Sequence, residues 1–477
     1  MGEVRGNRYK WLVLFITSIS AFNSTLDVSI VNISLPRLTV VFNTEPSVVM
    51  WIPVIYHLVA IGLMLSLGRL GDQLGRKKIF TLGFALFTIG LIFCSLSQSI
   101  VQLIMARIVQ ATGAAMATSV SPAIVTAAFP SRERGRAIGI RTSVVSAGLL
   151  TGPVFGGLLL DTLDWRSIFY IRIPIGLAGL VLAWTLMKEQ KEPVAGFKFD
   201  IWGMVTLFGG LSSMILFLNL AGRSSFLSLP VVILGTSTLI FLASFIFIEK
   251  RVAHPIVDLN LFRNRSFAGG NISLVFMFMA MAGFTFLMPF YLIQGLGFPA
   301  SQSGLFMAVT ALTALLLAPI SGWLSDRISP RLLCTVGVAI GCLAFFLFSG
   351  LNIESSQAEI LFPLGILGVG IGLFQSPNNS SILGSVPRDR LGTAAAMIAT
   401  ARQTGTSSGI AIMAAIFTSR QLFHTGQMAD GAIGQTMLER LSLIGGFHDT
   451  LIIAAIICVV AIFASFARGK VNQPTSE

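Results

Sequence analysis

Apolar stretches of about 20 residues recur from one end of the 477-residue chain to the other. A helix of that length crosses the hydrocarbon core of a bilayer, and lipid offers an unpaired backbone no hydrogen-bonding partner. The pattern lacks the short alternating segments of a membrane β-barrel. It therefore predicts an all-α polytopic membrane protein with fourteen spans, at roughly 11–35, 48–68, 78–97, 101–124, 136–160, 167–188, 202–221, 229–249, 267–293, 304–325, 332–351, 359–383, 394–419 and 447–467.

The composition agrees with a membrane protein, because 54% of the residues are hydrophobic and only 11% are charged. The net charge of +12 does not indicate nucleic-acid binding, since the basic residues are spread over short loops between the apolar stretches. Twenty-three Lys and Arg residues lie in one set of alternate loops and five in the other. This asymmetry predicts that both termini are cytoplasmic. The basic segment at residues 1–10 is followed by a long apolar stretch without a cleavage signal, which indicates a first spanning helix and not a signal peptide.

The sequence contains an internal repeat. The loop after the second span has Gly68 and Asp72 before a basic cluster, and Gly322 and Asp326 occupy the same places after the tenth span, 254 residues later. A second matching pair of segments begins at Pro130 and Pro387. These offsets predict two six-helix halves with two extra helices between them, divided as 1–190, 191–266 and 267–477. Such repeats are common in secondary transporters, whose substrate path lies between the repeats.

Two glycine-containing motifs stand out in the first half. The loop Gly68–Lys78 places a turn and a helix cap beside cations, which suits a latch that pairs with acids. The alternative is an ordinary basic loop that only sets topology. The fifth span carries glycines at helical spacing around a proline, which favours close helix packing and a bend. The residues in question are Gly68, Asp72, Gly75, Arg76 and Lys77 in the loop, and Gly139, Gly148, Gly152, Pro153, Gly156 and Gly157 in the span.

With these motifs the chain resembles the major facilitator superfamily, and within it the fourteen-helix drug:proton antiporters. The resemblance covers nearly the whole chain and implies alternating access through a central cavity. The Gly68–Lys78 loop is similar to the cytoplasmic loop motif of that family, and the glycines of the fifth span match its antiporter motif, which implies export. Ordinary small-residue packing is the alternative explanation for the glycines.

Asp27 is the only carboxylate well inside a predicted span, and it is the candidate proton site. An ionisable group at membrane depth is costly and usually faces a cavity or a partner. Arg107 of the fourth span lies at a comparable depth, counted at about 1.5 Å per residue, and is predicted to tune and neutralise Asp27. A purely structural ion pair is the alternative. Arg141 and Arg172 lie near the ends of their spans, where we expect their side chains to extend toward the membrane surface.

Further polar side chains at membrane depth are candidates for the substrate cavity. Helix packing is the alternative for the asparagines and the histidine, and extension toward the cytoplasm is the alternative for the arginine. The candidates are Asn32, His57, Gln110, Asn378, Asn379 and Arg402. Because the second half has no deeply embedded acid, the sequence favours neutral, monocationic or anionic substrates over dications.

The sequence therefore predicts a proton-coupled antiporter that exports small hydrophobic or amphiphilic compounds from a bacterial inner membrane. A lipid or siderophore exporter, or a facilitator or symporter of the same fold, remains an alternative. We expect a monomer whose partners are the substrate, protons and the bilayer. The chain shows no phosphate-binding loop, metal-ligand spacing or enzymatic nucleophile, so no cofactor, metal or catalytic role is expected. The segment 420–446 is predicted to be an external loop that forms a small gating hairpin.

Overall fold

The computed structural model describes residues 2–130, 133–189, 201–221, 228–252, 259–325, 327–386, 391–428 and 434–468, and this part of the chain is helical apart from short connections. Fourteen helices form the fold: α1 Gly2–Val41, α2 Trp51–Leu74, α3 Arg76–Leu96, α4 Ile100–Ala128, α5 Arg134–Thr162, α6 Ile173–Leu186, α7 Ile201–Ala221, α8 Leu229–Glu249, α9 Arg265–Pro289, α10 Ala300–Ser325, α11 Pro330–Phe348, α12 Gln357–Gly384, α13 Leu391–Met428 and α14 Gln435–Phe466. Single helical turns precede α2 and α6, and a π-helical turn, Phe290–Gly295, continues α9.

Each of the fourteen predicted spans coincides with one of these helices. Within the described ranges, twelve helical stretches are long and apolar enough to cross a membrane, and α7 contributes a shorter one, Ile201–Phe217. The remaining helix, α13, is 38 residues long and carries the polar pair Arg402 and Gln403. The protein is thus an integral membrane protein, and its all-α polytopic architecture is confirmed.

The helix contacts repeat between α1–α6, here called the first half, and α9–α14, the second half. Helix α1 packs on α5 as α9 packs on α13, and α4 contacts α2 and α3 as α12 contacts α10 and α11. Helices α7 and α8 pack mainly on each other, and α7 also contacts α2 and α13. The extra helix pair therefore lies beside the two halves.

Two glycine pairs show the repeat at the level of single residues. A Cβ atom added to Gly83 of α3 would lie 2.8 Å from the carbonyl oxygen of Gly113 of α4. In the second half, a Cβ atom on Gly370 of α12 would lie 2.7 Å from the carbonyl oxygen of Gly337 of α11. Positions 83 and 337 differ by 254 residues, the offset predicted from the loop motifs. Only glycine allows the two backbones to approach this closely.

The described residues of the segment 420–446 are almost entirely helical, so the prediction of a loop there was wrong, although the segment does form a hairpin. Helix α13 continues to Met428 and α14 begins at Gln435, so most of the segment is helical. At about 1.5 Å per residue, helices of 38 and 32 residues exceed the membrane core of about 30 Å. Arg420 and His424 of α13 both contact the carboxylate of Asp449 of α14, at 2.6 and 2.9 Å. The two helices therefore extend together as a helical hairpin.

The two halves meet at the end of the bundle opposite the basic loops, which we call the far end. There the side-chain amide of Gln294 donates hydrogen bonds to the carbonyl oxygen of Pro36 and to Oγ1 of Thr39, both at 2.9 Å. The carboxylate of Asp161 accepts hydrogen bonds from the backbone N–H groups of Ala300 and Ser301, at 3.0 and 2.7 Å. At the other end of the bundle, which we call the basic end, Gly139 of α5 is exposed, and a Cβ atom added to it would meet nothing within 4 Å. The far end is thus closed by the hydrogen bonds of Gln294 and Asp161, whereas an added Cβ atom on Gly139 at the basic end would contact nothing.

Candidate functional site

Asp27 lies in the middle of α1 and its side chain is completely buried. Its Oδ2 atom lies 2.5 Å from Nη1 of Arg107, which α4 contributes. Its Oδ1 atom lies 2.5 Å from Nη1 of Arg172, which lies directly before α6. Oδ1 also accepts a hydrogen bond of 2.8 Å from the side-chain amide of Gln110. We call Asp27, Arg107, Arg172 and Gln110 the charge cluster.

Each arginine of the charge cluster is held by further contacts. The Arg107 guanidinium donates to the side-chain oxygen of Gln110 at 2.7 Å and to the carbonyl oxygen of Ile52 at 3.3 Å, and it lies over the Tyr56 ring at 4.5 Å. Arg172 Nε donates to the carbonyl oxygen of Ile168 at 2.7 Å. Hydrogen-bonded ion pairs of this kind are strong and fix the geometry. The cluster thereby joins α1, α4 and the start of α6.

The structure shows the expected contact between Asp27 and Arg107, contradicts the prediction for Arg172, and places Gln110 beside Asp27. Arg172 was expected to extend toward the membrane surface, but it is 1% exposed and bonded to Asp27. Gln110 was assigned to the substrate cavity, but it is fully buried within the charge cluster. Arg172 lies only about two helical turns from its membrane surface, and a side chain of that length reaches either surface or interior. The buried carboxylate of Asp27 determines that the Arg172 side chain points inward. Predicting this from the sequence would require knowing that α1 lies next to the start of α6.

The glycines of α5 contact both α1 and α10. Added Cβ atoms on Gly148 and Gly152 would lie 3.1 Å from the carbonyl oxygen of Phe22 and from the backbone nitrogen of Ile30 in α1. Ser29 Oγ of α1 donates a hydrogen bond to the carbonyl oxygen of Gly148 at 3.1 Å.

Further along α5, Gly156 packs on Ile30, while Gly157 and Pro153 approach the backbone of α10 at Ala300 and Gly304. Gly139 makes no such contact. Five residues of the predicted motif thus form a close helix interface, and Gly139 lies outside it.

The segment Gly68–Lys78, at the basic end, contacts other helices of the first half. Gly75 separates α2 from α3 with φ +109°, a conformation that side chains rarely adopt. Glu189, just after α6, accepts a hydrogen bond from the backbone nitrogen of Lys77 at 3.3 Å. Gly68 lies near Ser119 of α4. Arg76 begins α3, and the side chain of Asp72 lies outside the described residues. Among the described residues, Glu189 is thus one acid that contacts this segment, through the backbone of Lys77.

Of the other candidate cavity residues, some lie where the two halves meet and others lie inside one half. His57 is buried in α2, stacks edge-on against Tyr56 and lies near Gln403 of α13, in the other half. Arg402 lies 5.4 Å from the Phe278 ring, and its Nε atom is buried without a hydrogen-bond partner. Asn378 is fully buried between α12 and α9, and its amide has no partner. The Oδ1 atoms of Asn32 and Asn379 are also buried without partners.

Two bacterial relatives cover most of this chain. It is 36% identical over 418 residues to the riboflavin transporter RibZ of Clostridioides difficile, an alignment that covers 87% of this chain and 90% of that protein. It is 30% identical over 414 residues to the multidrug resistance protein Stp of Mycobacterium tuberculosis, which covers 87% of this chain and 77% of the relative.

Solved transporter structures share the fold at low sequence identity. An auto-inhibited peptide transporter of the POT family superimposes with a TM-score of 0.68 at 15% identity, over 98% of this chain and 99% of that chain. A bacterial homologue of the human lysosomal transporter Spinster gives 0.66 at 15% identity, over 96% and 98% of the two chains. Residues 17–410 match the Major Facilitator Superfamily. With the repeated helix contacts and the polytopic fold, this match shows that the chain is a transporter, not an enzyme, and belongs to the Major Facilitator Superfamily.

Proposed function

We propose that this transporter is a proton-coupled antiporter that exports small hydrophobic or amphiphilic compounds by alternating access. The observation that carries the proposal is the completely buried carboxylate of Asp27, which is held by arginines from two other elements inside the bundle. Ionisable groups at membrane depth are costly to keep and commonly belong to ion or proton pathways. The carboxylate is the group that binds and releases the proton in this proposal.

Protonation of Asp27 has a mechanical consequence in the charge cluster. The ionised carboxylate ties Arg107 of α4 and Arg172 before α6 to α1. A proton removes the negative charge that compensates these two cations, and the ion pairs weaken. A proton therefore stabilises one arrangement of the helices relative to another, which is what coupling between proton binding and conformation requires.

We assign the basic end to the cytoplasm, from the distribution of Lys and Arg, and place the protein in a bacterial inner membrane with both termini inside. The far end is then external, and this structure represents a state closed to the outside. The proposed division is 1–190 for the first bundle, 191–266 for the two extra helices and 267–477 for the second bundle. Repeated helix contacts within α1–α6 and α9–α14 support it. Opening to the outside would separate Asp161 from α10 and Gln294 from α1.

The substrate path in this proposal runs between the halves, near His57 and Arg402. The guanidinium of Arg402 has no ion-pair partner among the described residues, and its buried Nε lacks a hydrogen bond. An unpaired cation at this depth disfavours dicationic substrates and favours neutral or anionic groups. Among the relatives, proteins named for multidrug resistance support drug export, and the one named for riboflavin supports a neutral aromatic substrate. Lipid or siderophore export and facilitated or proton-driven import are the alternatives.

Proton movement in everted membrane vesicles tests the proposal. A monocationic dye, a neutral drug, an anionic amphiphile and riboflavin are added in turn to vesicles that hold a proton gradient. We expect at least one compound to release protons with wild-type protein and none to do so with Asp27→Asn. Asp164→Asn is the matched control, because Asp164 is exposed and pairs only locally with Arg166. Substrate movement without proton movement in the wild type would instead establish a facilitator.

A further inference from the structure

A small cavity lies inside the first half, next to the charge cluster, and polar side chains of α1 form one side of it. Its wall consists of small, polar and aromatic side chains from α1, α3 and α4, namely Ser20, Asn23, Ser24, Phe84, Phe87, Ala114 and Ala117. Asn23 is 1% exposed, and neither its side-chain nitrogen nor its side-chain oxygen has a hydrogen-bond partner. An unpaired buried amide is costly, and a cavity of this size has room for about one water molecule beside it.

The cavity continues the polar face of α1 that ends at Asp27. Ser20, Asn23, Ser24 and Asp27 are spaced by three, one and three residues, so they share one face of the helix. Asn23 lies one turn from Asp27, about 6 Å along the axis toward the basic end. Ser24 lies near Tyr56, and the Arg107 guanidinium lies over the ring of that tyrosine. The polar groups of the cavity are therefore contiguous with the charge cluster.

Helix α4 provides the matching face. One face of α4 contacts Asp27 and then continues past the cavity toward the basic end. This face carries Arg107, Gln110, Ala114 and Ala117, which are spaced by three or four residues. The alanines leave the room that a larger side chain would fill. One turn further, Ser121 of α4 is fully buried, and its hydroxyl has no hydrogen-bond partner. A second unpaired polar group thus lies on this face.

We propose that this cavity binds a water molecule that hydrogen-bonds to Asn23, accepts the proton that Asp27 releases and passes it toward the polar groups Ser20 and Ser121 on the basic-end side. The inference rests on the proposed proton coupling and adds a route inside the first half, separate from the path between the halves. Asn23 is a positioning residue in this scheme: its amide orients the water and neither gains nor loses a proton.

The test compares proton release with substrate exchange in proteoliposomes that contain the full chain. Asn23→Leu keeps the side-chain size but removes both hydrogen-bonding atoms. We expect substrate-driven proton release about tenfold slower than in wild type, the size of effect expected when one hydrogen-bonded relay group is lost. Exchange of labelled for unlabelled substrate, which needs no net proton movement, should stay unchanged. Asn23→Ser, which keeps a polar group and leaves room for water, should restore most of the rate.

A second pair of variants fills the cavity without changing Asn23. Ala117→Val adds two methyl groups at the cavity wall, whereas Ala115→Val makes the same change at an equally buried alanine that does not line it. Slower proton release in Ala117→Val alone supports the water relay. Wild-type proton rates in both Asn23→Leu and Ala117→Val would overturn it and leave antiport intact. Substrate exchange without any proton release in the wild type would instead overturn the proposed function.

Discussion

The carboxylate of Asp161 accepts a hydrogen bond of 3.0 Å from the backbone N–H of Ala300, so the end of α5 caps the beginning of α10 in the other half. The first N–H groups of a helix have no partner within that helix, and a carboxylate there also interacts favourably with the helix dipole. Here the capping bond joins the two halves, which the proposed alternating access would separate.

The first prediction concerns this cap. Asp161→Ala should expose the first turn of α10, because loss of an N-cap costs about 0.5–2 kcal/mol. Hydrogen–deuterium exchange at the amides of Ala300 and Ser301 should then become about 2- to 30-fold faster. Asp164→Ala is the control, since Asp164 lies at the same end but bonds only to Arg166 and its own segment. Equal exchange in the two variants would show that Asp161 does not hold the far end closed.

Because Asp27 and Arg172 form an ion pair, we expect the effects of their substitutions on stability to be non-additive. Asp27→Asn leaves two buried cations without their counter-ion, and breaking a buried pair costs about 3–5 kcal/mol. We expect a large drop in melting temperature for Asp27→Asn and a smaller one for Arg172→Gln, which leaves Asp27 paired with Arg107. In the double variant the combined cost should be smaller than the sum by about 0.5–3 kcal/mol, because the second change removes a charge that the first left unpaired. Additive losses would mean that the two side chains do not stabilise each other.

The glycines of α5 provide a matched pair. Gly152→Ala places a Cβ atom 2.6 Å from Cβ of Ser29, and overpacking of this kind costs about 1–3 kcal/mol. Gly139→Ala meets nothing within 4 Å and should stabilise the helix by about 0.5–1 kcal/mol. Melting temperature and substrate transport measured in the same membranes should fall for the first variant alone. A transport loss in Gly139→Ala without loss of stability would show that Gly139 contacts the second half in another state.

Gly75 is predicted to tolerate no side chain. Its φ of +109° costs an alanine about 1–3 kcal/mol, and the new Cβ atom would collide with the Glu189 carboxylate that holds the backbone of Lys77. Gly75→Ala should therefore lower the melting temperature. Gly384→Ala, at the end of α12 with nothing within 4 Å, is the control and should leave it nearly unchanged.

Sequence analysis predicted the helices and the repeat well because both depend on local patterns. The length of each apolar stretch determines a span, and the 254-residue offset between loop motifs also relates Gly83 to Gly337. The contact between Asp27 and Arg107 could be predicted because both residues lie well inside their spans. The domain boundaries and the roles of the site residues remain predictions.

Residues near a helix end were harder to predict. Depth alone does not determine the direction of Arg172, whose side chain can reach either the membrane surface or Asp27.

Asn23 was missed although it lies one helical turn from Asp27, because an uncharged polar residue gave no reason to examine its face of the helix. The helical structure within 420–446 was missed because polar helices that extend past the membrane carry no apolar signal.

The second arginine beside Asp27 has an electrical consequence. With the carboxylate ionised, the three side chains carry one net positive charge, and with the carboxylate protonated they carry two. With only one arginine beside Asp27, the group would have been neutral when the carboxylate is ionised. A membrane potential of about 100 mV acts on each charge that crosses it with about 2.3 kcal/mol. Any displacement of this group along the membrane normal therefore does electrical work in both protonation states, and turnover should respond to voltage even when the pH is equal on the two sides.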